Sequence, residues 1–156
     1  MANTLTKQEE AGAYFLSGYC CSQAVLYVFA EELGMTKQAA LKLADAFCGG
    51  MGTGNTCGAV TAAYMVIGLK HGRTEPEELT RKEETRRLVN LFSGEFQKLH
   101  GALACSDLLE FDMATAEGKK AAKDSGLFVE ACPKYVRTAV EILERILELK
   151  VPGASS

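Results

Sequence analysis

The chain has 156 residues, of which 47% are hydrophobic and 24% charged, and its formal net charge at pH 7 is −3. This length suits one domain with a substantial core, and the composition is that of a globular protein rather than a disordered or fibrous one. The small negative charge gives no general attraction for nucleic acid or anionic lipid. We therefore expect no nucleic-acid partner.

The N-terminus and the apolar runs predict a soluble, cytoplasmic protein without membrane insertion. Residues 1–10 lack the basic and then apolar order of a signal peptide. The longest apolar run, from Cys57 to Leu69, is shorter than the roughly 18 residues of a membrane span. Six cysteines in such a protein are more typical of metal binding or redox chemistry than of a disulfide framework. The alternative for any one cysteine is a small buried hydrophobic residue.

The first half of the chain contains four helix signals, each a cap or an apolar period closed by glycine. They predict helices over about 6–16, 22–33, 36–47 and 57–71. In the second half, Pro76 and the acidic residues beside it predict the start of a long helix that extends to Leu99. Three further segments follow: a short turn over 106–109, a polar helix over 115–123 and an amphipathic helix from Pro133 to Leu147.

No segment of useful length alternates with the period of two that marks strands. The predicted fold is all-α, a single compact bundle of about six to eight helices in one domain spanning residues 1–150. Residues 151–156 are expected to form a flexible C-terminal tail.

Five of the six cysteines lie at or just before a predicted helix N-terminus. There, unpaired backbone N–H groups and the helix dipole favour thiolate and lower a cysteine pKa from about 8.5 toward neutrality. Thiolate is the form that attacks, oxidises or binds metal, so these positions predict functional thiols rather than core filler. The five are Cys20, Cys21, Cys57, Cys105 and Cys132, whereas Cys48 lies at a helix end.

A glycine-rich loop, Gly49-Gly50-Met51-Gly52-Thr53-Gly54, precedes Cys57. Phosphate binding is disfavoured, because the lysine of a P-loop and the glycine spacing of a dinucleotide site are both absent. Glycine backbone can instead turn its N–H groups toward sulfur. We therefore predict that Gly52, Gly54 and Gly58 line the thiol or cofactor site, and that Cys57 is the most acidic thiol.

Several motifs in this order resemble the C-GCAxxG-C-C family of proteins, which are described as redox-active. The resemblance covers about residues 11–145, and its order and spacing are more specific than any single motif. It rests on Phe15-Leu16-Ser17-Gly18-Tyr19-Cys20-Cys21-Ser22-Gln23-Ala24, Phe47-Cys48-Gly49-Gly50-Met51-Gly52, Cys57-Gly58-Ala59-Val60, Gly68-Leu69-Lys70-His71-Gly72, and the later Cys105 and Cys132.

The family's four cysteines match Cys21, Cys57, Cys105 and Cys132. Cys20 and Cys48 stand where the family usually has asparagine and glycine, and Ala62 stands at the last motif glycine. We therefore expect Cys20 and Cys48 to be local additions that the chemistry does not need. Adjacent helical residues point about 100° apart, so Cys20 and Cys21 should not both face the site.

The resemblance implies that the four matching cysteines are redox thiols, or ligands of an iron–sulfur cluster of the 2Fe–2S type, in an oxidoreductase or electron-transfer protein. The alternative is a non-redox zinc-binding or structural protein that uses the same cysteines. Their separations of 36, 48 and 27 positions require a prefolded scaffold and argue mildly against zinc. No C-x-x-C-H motif is present, so we expect no attached haem. The redox partner protein and homo-oligomerisation stay open.

Overall fold

The computed structural model describes residues 4–148, so the predicted tail over 151–156 lies outside the described residues. Within this range the chain is helical, and its only strand-like pairing is one isolated bridge between Thr56 and Ala104. The predicted all-α bundle of six to eight helices is confirmed, with seven helices of nine residues or more and two of a single turn. The seven are α1 Lys7–Leu16, α2 Cys21–Ala30, α3 Lys37–Asp45, α4 Gly58–His71, α5 Leu79–His100, α7 Ala116–Asp124 and α9 Cys132–Leu147; the short ones are α6 Cys105–Leu109 and α8 Leu127–Glu130.

The N-terminal helices begin where their capping residues predict. The Thr6 hydroxyl accepts a hydrogen bond from the Glu9 N–H at 3.2 Å, and the Glu9 carboxylate accepts one from the Thr6 N–H at 2.8 Å. Thr36 caps α3 by accepting from the Ala39 N–H at 3.1 Å. Gly34, with a φ of 85°, closes the short 3₁₀ turn that follows α2.

The start of α5 differs from the prediction, because the helix begins at Leu79 and not at Pro76. The carboxylate of Glu78 accepts a hydrogen bond from the Thr74 N–H at 3.1 Å, which folds the preceding residues into a turn. The Arg73 guanidinium donates to the Pro76 carbonyl at 2.8 Å. That carbonyl is thereby partnered by a side chain instead of a helical N–H group.

Two hydrophobic clusters result from the packing of these helices. The main core forms where α2, α4, α5 and α9 meet, and its largest buried side chains include Phe92 and Phe96. A much smaller cluster gathers α6, α7, α8 and the start of α9 around four buried residues, Cys105, Leu109, Met113 and Ala122. Tyr135 of α9 packs against both clusters. The two clusters are therefore adjacent, and cysteines lie on both sides of their boundary.

None of the helices found between residues 4 and 148 combines the length and the apolar character that crossing a membrane requires.

Candidate functional site

A cavity of about 700 Å³ lies between the main core and the small cluster. It is the place where the structure brings the predicted site cysteines together, although they are far apart in sequence. Cys57 is buried in the main core, and Cys105 belongs to the small cluster. All six cysteines contribute to the cavity wall: Cys20, Cys21, Cys48, Cys57, Cys105 and Cys132.

The four cysteines of the predicted site all lie at helix N-termini, as the sequence indicates. Cys21, Cys105 and Cys132 are the first residues of α2, α6 and α9, and Cys57 is the N-cap residue of α4. Their roles as redox thiols or as metal ligands stay predictions.

The isolated bridge holds Cys57 and Cys105 near each other. The Cys57 N–H donates to the Leu103 carbonyl at 2.8 Å, and the Cys105 N–H donates to the Asn55 carbonyl at 2.6 Å. These two bonds flank the antiparallel Thr56–Ala104 pair. In an antiparallel pair, alternate residues point to the same face. Cys57 and Cys105 are therefore diagonal neighbours on one face of the bridge.

The close approach of α4 to α2 depends on Gly58. A Cβ atom at Gly58 would lie 2.6 Å from the Cys21 sulfur and 3.1 Å from both the Phe47 carbonyl oxygen and the Ser22 nitrogen. Only glycine leaves room for the Cys21 side chain against the first turn of α4. Gly58, predicted to line the site, therefore lies in direct contact with one of its thiols.

Hydrogen bonds lower the pKa of Cys21 to about 7. The largest contribution is the thiol of Cys57, which donates to the Cys21 sulfur. Backbone N–H groups of Ser22, Ala59 and Gly49 donate to the same sulfur and outweigh the opposing effect of burial. Two of these donors belong to the first turns of α2 and α4, so Cys21 receives the N-terminal N–H groups of two helices.

The other three free thiols are held protonated. Donation to Cys21 and burial raise the pKa of Cys57 well above its ordinary value. Burial raises the pKa of Cys105 to about 11 and that of Cys132 to about 12. The prediction that Cys57 is the most acidic thiol is therefore wrong, because Cys57 supplies the proton that stabilises its neighbour's thiolate.

The glycine loop also differs from its predicted role. Residues 49–52 form a left-handed turn, with φ of 65° at Gly49 and 61° at Met51. The turn directs the Gly49 N–H toward Cys21, whereas no N–H of the loop is among the donors to Cys57. A side chain at Gly54 would overlap Ser106, and the Gly52 carbonyl accepts a hydrogen bond from Lys119 at 3.1 Å. A role for Gly52, Gly54 and Gly58 in holding a cofactor stays a prediction.

Cys20 and Cys48 form a disulfide across a Cα–Cα distance of 5.8 Å, which joins the start of α2 to the segment after α3. The prediction that Cys20 and Cys21 do not both face the site is wrong, since both line the cavity. The reason is that Cys20 is an extended N-cap residue with φ of −85° and ψ of 172°, so the helical rotation does not apply to it.

The hydroxyl of Ser22 lies beside this disulfide. It is fully buried, donates to the Ala44 carbonyl at 2.8 Å, and lies 3.3 Å from the Cys20 sulfur and 3.7 Å from the Cys48 sulfur. A hydroxyl oxygen can accept a hydrogen bond from either sulfur once the disulfide is reduced. Ser22 therefore provides a buried polar partner for the reduced form of this pair.

The disulfide predicts a specific thiol count. Protein isolated without reductant and unfolded in guanidinium should react with an aromatic disulfide reagent at four thiols, since Cys20 and Cys48 are already paired. Prior reduction should raise the count to six. In the Cys20→Ser/Cys48→Ser variant the count should be four under both conditions. Six thiols in wild-type protein that has not been reduced would contradict the pairing.

The residues of the cavity, as arranged, do not fit a metal ion or a cluster. Between residues 4 and 148 no three histidine, cysteine or carboxylate side chains are positioned to hold a metal. Zinc and iron–sulfur sites need several converging thiolates. Here two of the six sulfurs are bonded to each other, and Cys57 uses its proton in a hydrogen bond. The expected iron–sulfur or zinc cofactor stays a prediction, and no step is derived through it.

Three residues of the site were missed by sequence reasoning. Tyr135 donates a hydrogen bond to the Leu108 carbonyl at 3.1 Å and lines the cavity. It lies three residues after Cys132 on the same helix face, and this spacing could have indicated that it belongs to the site. Ser22 and Lys123 had no comparable signal, because their places depend on packing between helices.

The described part of the chain is helical, and five of its six cysteines lie at helix N-termini around one cavity. A family model described as "Putative redox-active protein (C_GCAxxG_C_C)" matches residues 19–146, most of the chain. The chain belongs to this family, as its motifs suggested. No curated protein and no solved structure matches it significantly.

Proposed function

We propose that this protein carries out thiol–disulfide exchange, with Cys21 as the attacking thiolate and Cys57 as the second thiol of the pair. The observation that supports this most directly is the close approach of the Cys21 sulfur to Gly58, the residue that follows Cys57, at the wall of a cavity that both cysteines line. The lowered pKa of Cys21, to which the Cys57 thiol contributes most, is consistent with this placement. Among the free cysteines, only Cys21 has a lowered pKa, and thiolate is the form that attacks a disulfide.

The exchange proceeds in two steps. The Cys21 thiolate attacks one sulfur of a substrate disulfide, forms a mixed disulfide, and releases the other substrate sulfur as a thiolate. That leaving thiolate takes the proton of Cys57. The Cys57 thiolate then attacks the Cys21 sulfur, which forms the Cys21–Cys57 disulfide and releases the second substrate thiolate, which takes a proton from solvent. Two electrons pass from the protein pair to the substrate disulfide, and the reverse sequence oxidises a substrate dithiol.

The Cys20–Cys48 disulfide is a second two-electron pair in the same cavity. Of the four cysteines that stay free in the described part of the chain, Cys21 and Cys57 are the two in which each has the largest effect on the pKa of the other. Cys105 and Cys132 take no part in attack near neutral pH, because burial keeps them protonated. Their contribution is to shape the wall of the cavity beside the reactive pair.

A trapping experiment tests the order of these roles. The Cys57→Ser variant, treated with a small disulfide, should accumulate the mixed disulfide at Cys21, because the second thiol that would release it is absent. Wild-type protein should instead form the Cys21–Cys57 disulfide, detected by peptide mass spectrometry after acid quenching. Cys105→Ser, a change in the same cavity, should behave as wild type.

Two results would contradict the proposal. One is a mixed disulfide that accumulates at another cysteine in the Cys57→Ser variant. The other is one zinc ion or one iron–sulfur cluster per chain, bound through Cys21 and Cys57, in protein purified without air. That second result would favour the cofactor expectations raised by the family resemblance.

A further inference from the structure

We infer that the cavity binds a small, mostly apolar disulfide that carries one acidic group, and that Lys123 is the residue that selects for the acid. This inference rests on the proposed exchange function and adds the class of substrate. It follows from the size and lining of the cavity, from the depth at which the reactive pair lies, and from the placement of a single charge.

The size and lining of the cavity suit a small organic molecule. Sites for such ligands enclose roughly 300–1,000 Å³ and are lined mainly by apolar and aromatic side chains, and this cavity measures about 700 Å³. Apart from the cysteines, its lining is predominantly hydrophobic. The apolar residues include Phe15, Leu108, Leu109, Met113 and Phe128.

The reactive end of the ligand must be narrow, because Cys57 is buried and Cys21 is only partly exposed. Cys57 is 4% exposed, whereas Leu16 and Val129, which also line the cavity, are 54% and 68% exposed. The cavity therefore runs from an apolar mouth at the surface to a sulfur pair in which Cys57 is buried and Cys21 is partly exposed. A disulfide on a slender apolar molecule can reach that depth, whereas a disulfide embedded in the surface of a folded protein is too bulky to enter.

Lys123 supplies the only positive charge. Of all residues described between 4 and 148, it is the one basic residue that lines the cavity, and it is exposed. No salt bridge joins it to another described residue, whereas its neighbour Lys120 is paired with Asp124 at 2.9 Å. An unpaired ammonium group beside an apolar wall attracts an anionic group at the solvent end of a bound molecule.

The same lining disfavours polar disulfides. A peptide disulfide such as oxidised glutathione carries several amide and charged groups, and most of them would lie against apolar walls without hydrogen-bond partners. Each unpaired polar group costs binding free energy. The cavity should therefore discriminate by polarity first and by charge second.

Binding can be measured without exchange in the Cys21→Ser/Cys57→Ser variant, with its fold checked by circular dichroism. Calorimetric titration should show one site per chain for lipoate, an aliphatic disulfide with a carboxylate. Its neutral counterpart lipoamide should bind about two- to fivefold more weakly, the range of one exposed charge pair. Oxidised glutathione should bind at least about tenfold more weakly than lipoate, the factor that corresponds to one unpaired polar group.

Lys123→Gln and Lys120→Gln, made in the same background, form a matched pair on α7. The first should abolish the preference for lipoate over lipoamide, and the second should preserve it. Equal binding of oxidised glutathione, several lipoate sites per chain, or a preference that survives Lys123→Gln would overturn the inference.

Rates of thiol–disulfide exchange in wild-type protein distinguish a failure of the ligand class from a failure of the proposed function. Dihydrolipoate should reduce the Cys21–Cys57 disulfide faster than glutathione does, with a rate that saturates. Selective lipoate binding without any exchange would support the ligand class and refute the proposed function. Exchange that proceeds equally well with glutathione, or only with a protein disulfide, would support the function and overturn the ligand class.

Discussion

Alkylation of the protein by iodoacetamide at pH 7 should slow by at least about 50-fold in the Cys21→Ser variant. With a pKa of about 7, Cys21 is about half thiolate at this pH, whereas a thiol at the ordinary value of 9.0 is about 1% thiolate. Burial raises the pKa values of Cys105 and Cys132, which contribute less still, whereas Cys57 loses in this variant the partner that most raises its pKa, so the ordinary value sets the lower limit of the expected change. The measurement is the second-order rate constant for protein isolated without reductant, so that Cys20 and Cys48 stay paired.

The dependence of the alkylation rate on pH tests the direction of the pKa shift of Cys21. Because Cys21 loses its proton as pH rises through about 7, the wild-type rate should increase with pH, reach half its maximum near pH 7 and level off above about pH 8. In Cys21→Ser the residual rate should still be rising at pH 10, since the pKa of Cys105 is about 11.

Two controls identify the source of the acidity. Cys57→Ala removes the thiol donor and should move the midpoint upward, whereas Cys57→Ser keeps a hydroxyl donor and should move it less. Cys132→Ser alters another thiol of the same cavity and should leave the midpoint unchanged. A wild-type midpoint near pH 9 that neither Cys57 variant shifts would refute the hydrogen-bonded pair.

Gly58→Ala should destabilise the protein by about 1–2 kcal/mol, although alanine is the better helix former. The added Cβ atom would lie 2.6 Å from the Cys21 sulfur and 3.1 Å from two backbone atoms, so α2 and α4 must separate. Overpacking of this kind costs about 1–3 kcal/mol, against a helix-propensity gain of up to about 1 kcal/mol. Urea denaturation measures the net change in the free energy of unfolding.

Gly68→Ala, in the same helix, is the matched control. A Cβ atom there meets no atom within 4 Å, so the substitution should stabilise by about 0.5–1 kcal/mol through helix propensity alone. Gly58→Ala should also raise the alkylation midpoint, because it disturbs the contact of Cys21 with Cys57. Equal effects of the two substitutions, or an unchanged midpoint in Gly58→Ala, would show that the close approach is unimportant.

The positions of the helices could be predicted because their signals are local. Thr6 and Thr36 cap helices through hydrogen bonds to residues three positions away, and the sequence displays both partners. Local sequence signals of the same kind predict that Cys21 and Cys57 lie at helix N-termini. Pro76 misled the prediction because Arg73 and Glu78 hold its surroundings in a turn, and those bonds depend on side-chain conformation.

The identity of the acidic thiol could not be predicted, because it depends on contacts between distant segments. Each helix N-terminus favours thiolate, and nothing local distinguishes Cys21 from Cys57. The difference arises because Gly58 admits the Cys21 sulfur to the first turn of α4, where a second set of N–H groups and the Cys57 thiol meet it. The Cys20–Cys48 pairing likewise requires the ends of α2 and α3 to be adjacent.

The unequal size of the two hydrophobic clusters has a consequence for amide hydrogen exchange. The small cluster contains four buried side chains, whereas the main core contains the large side chains of α2, α4, α5 and α9. Regions with few buried contacts open at a lower free energy than the whole molecule. Amides of α6, α7 and α8 should therefore exchange before those of α4. Such partial openings expose Cys105 and Cys132 while the Cys21–Cys57 pair stays packed, so the wall of the cavity fluctuates around a persistent reactive centre.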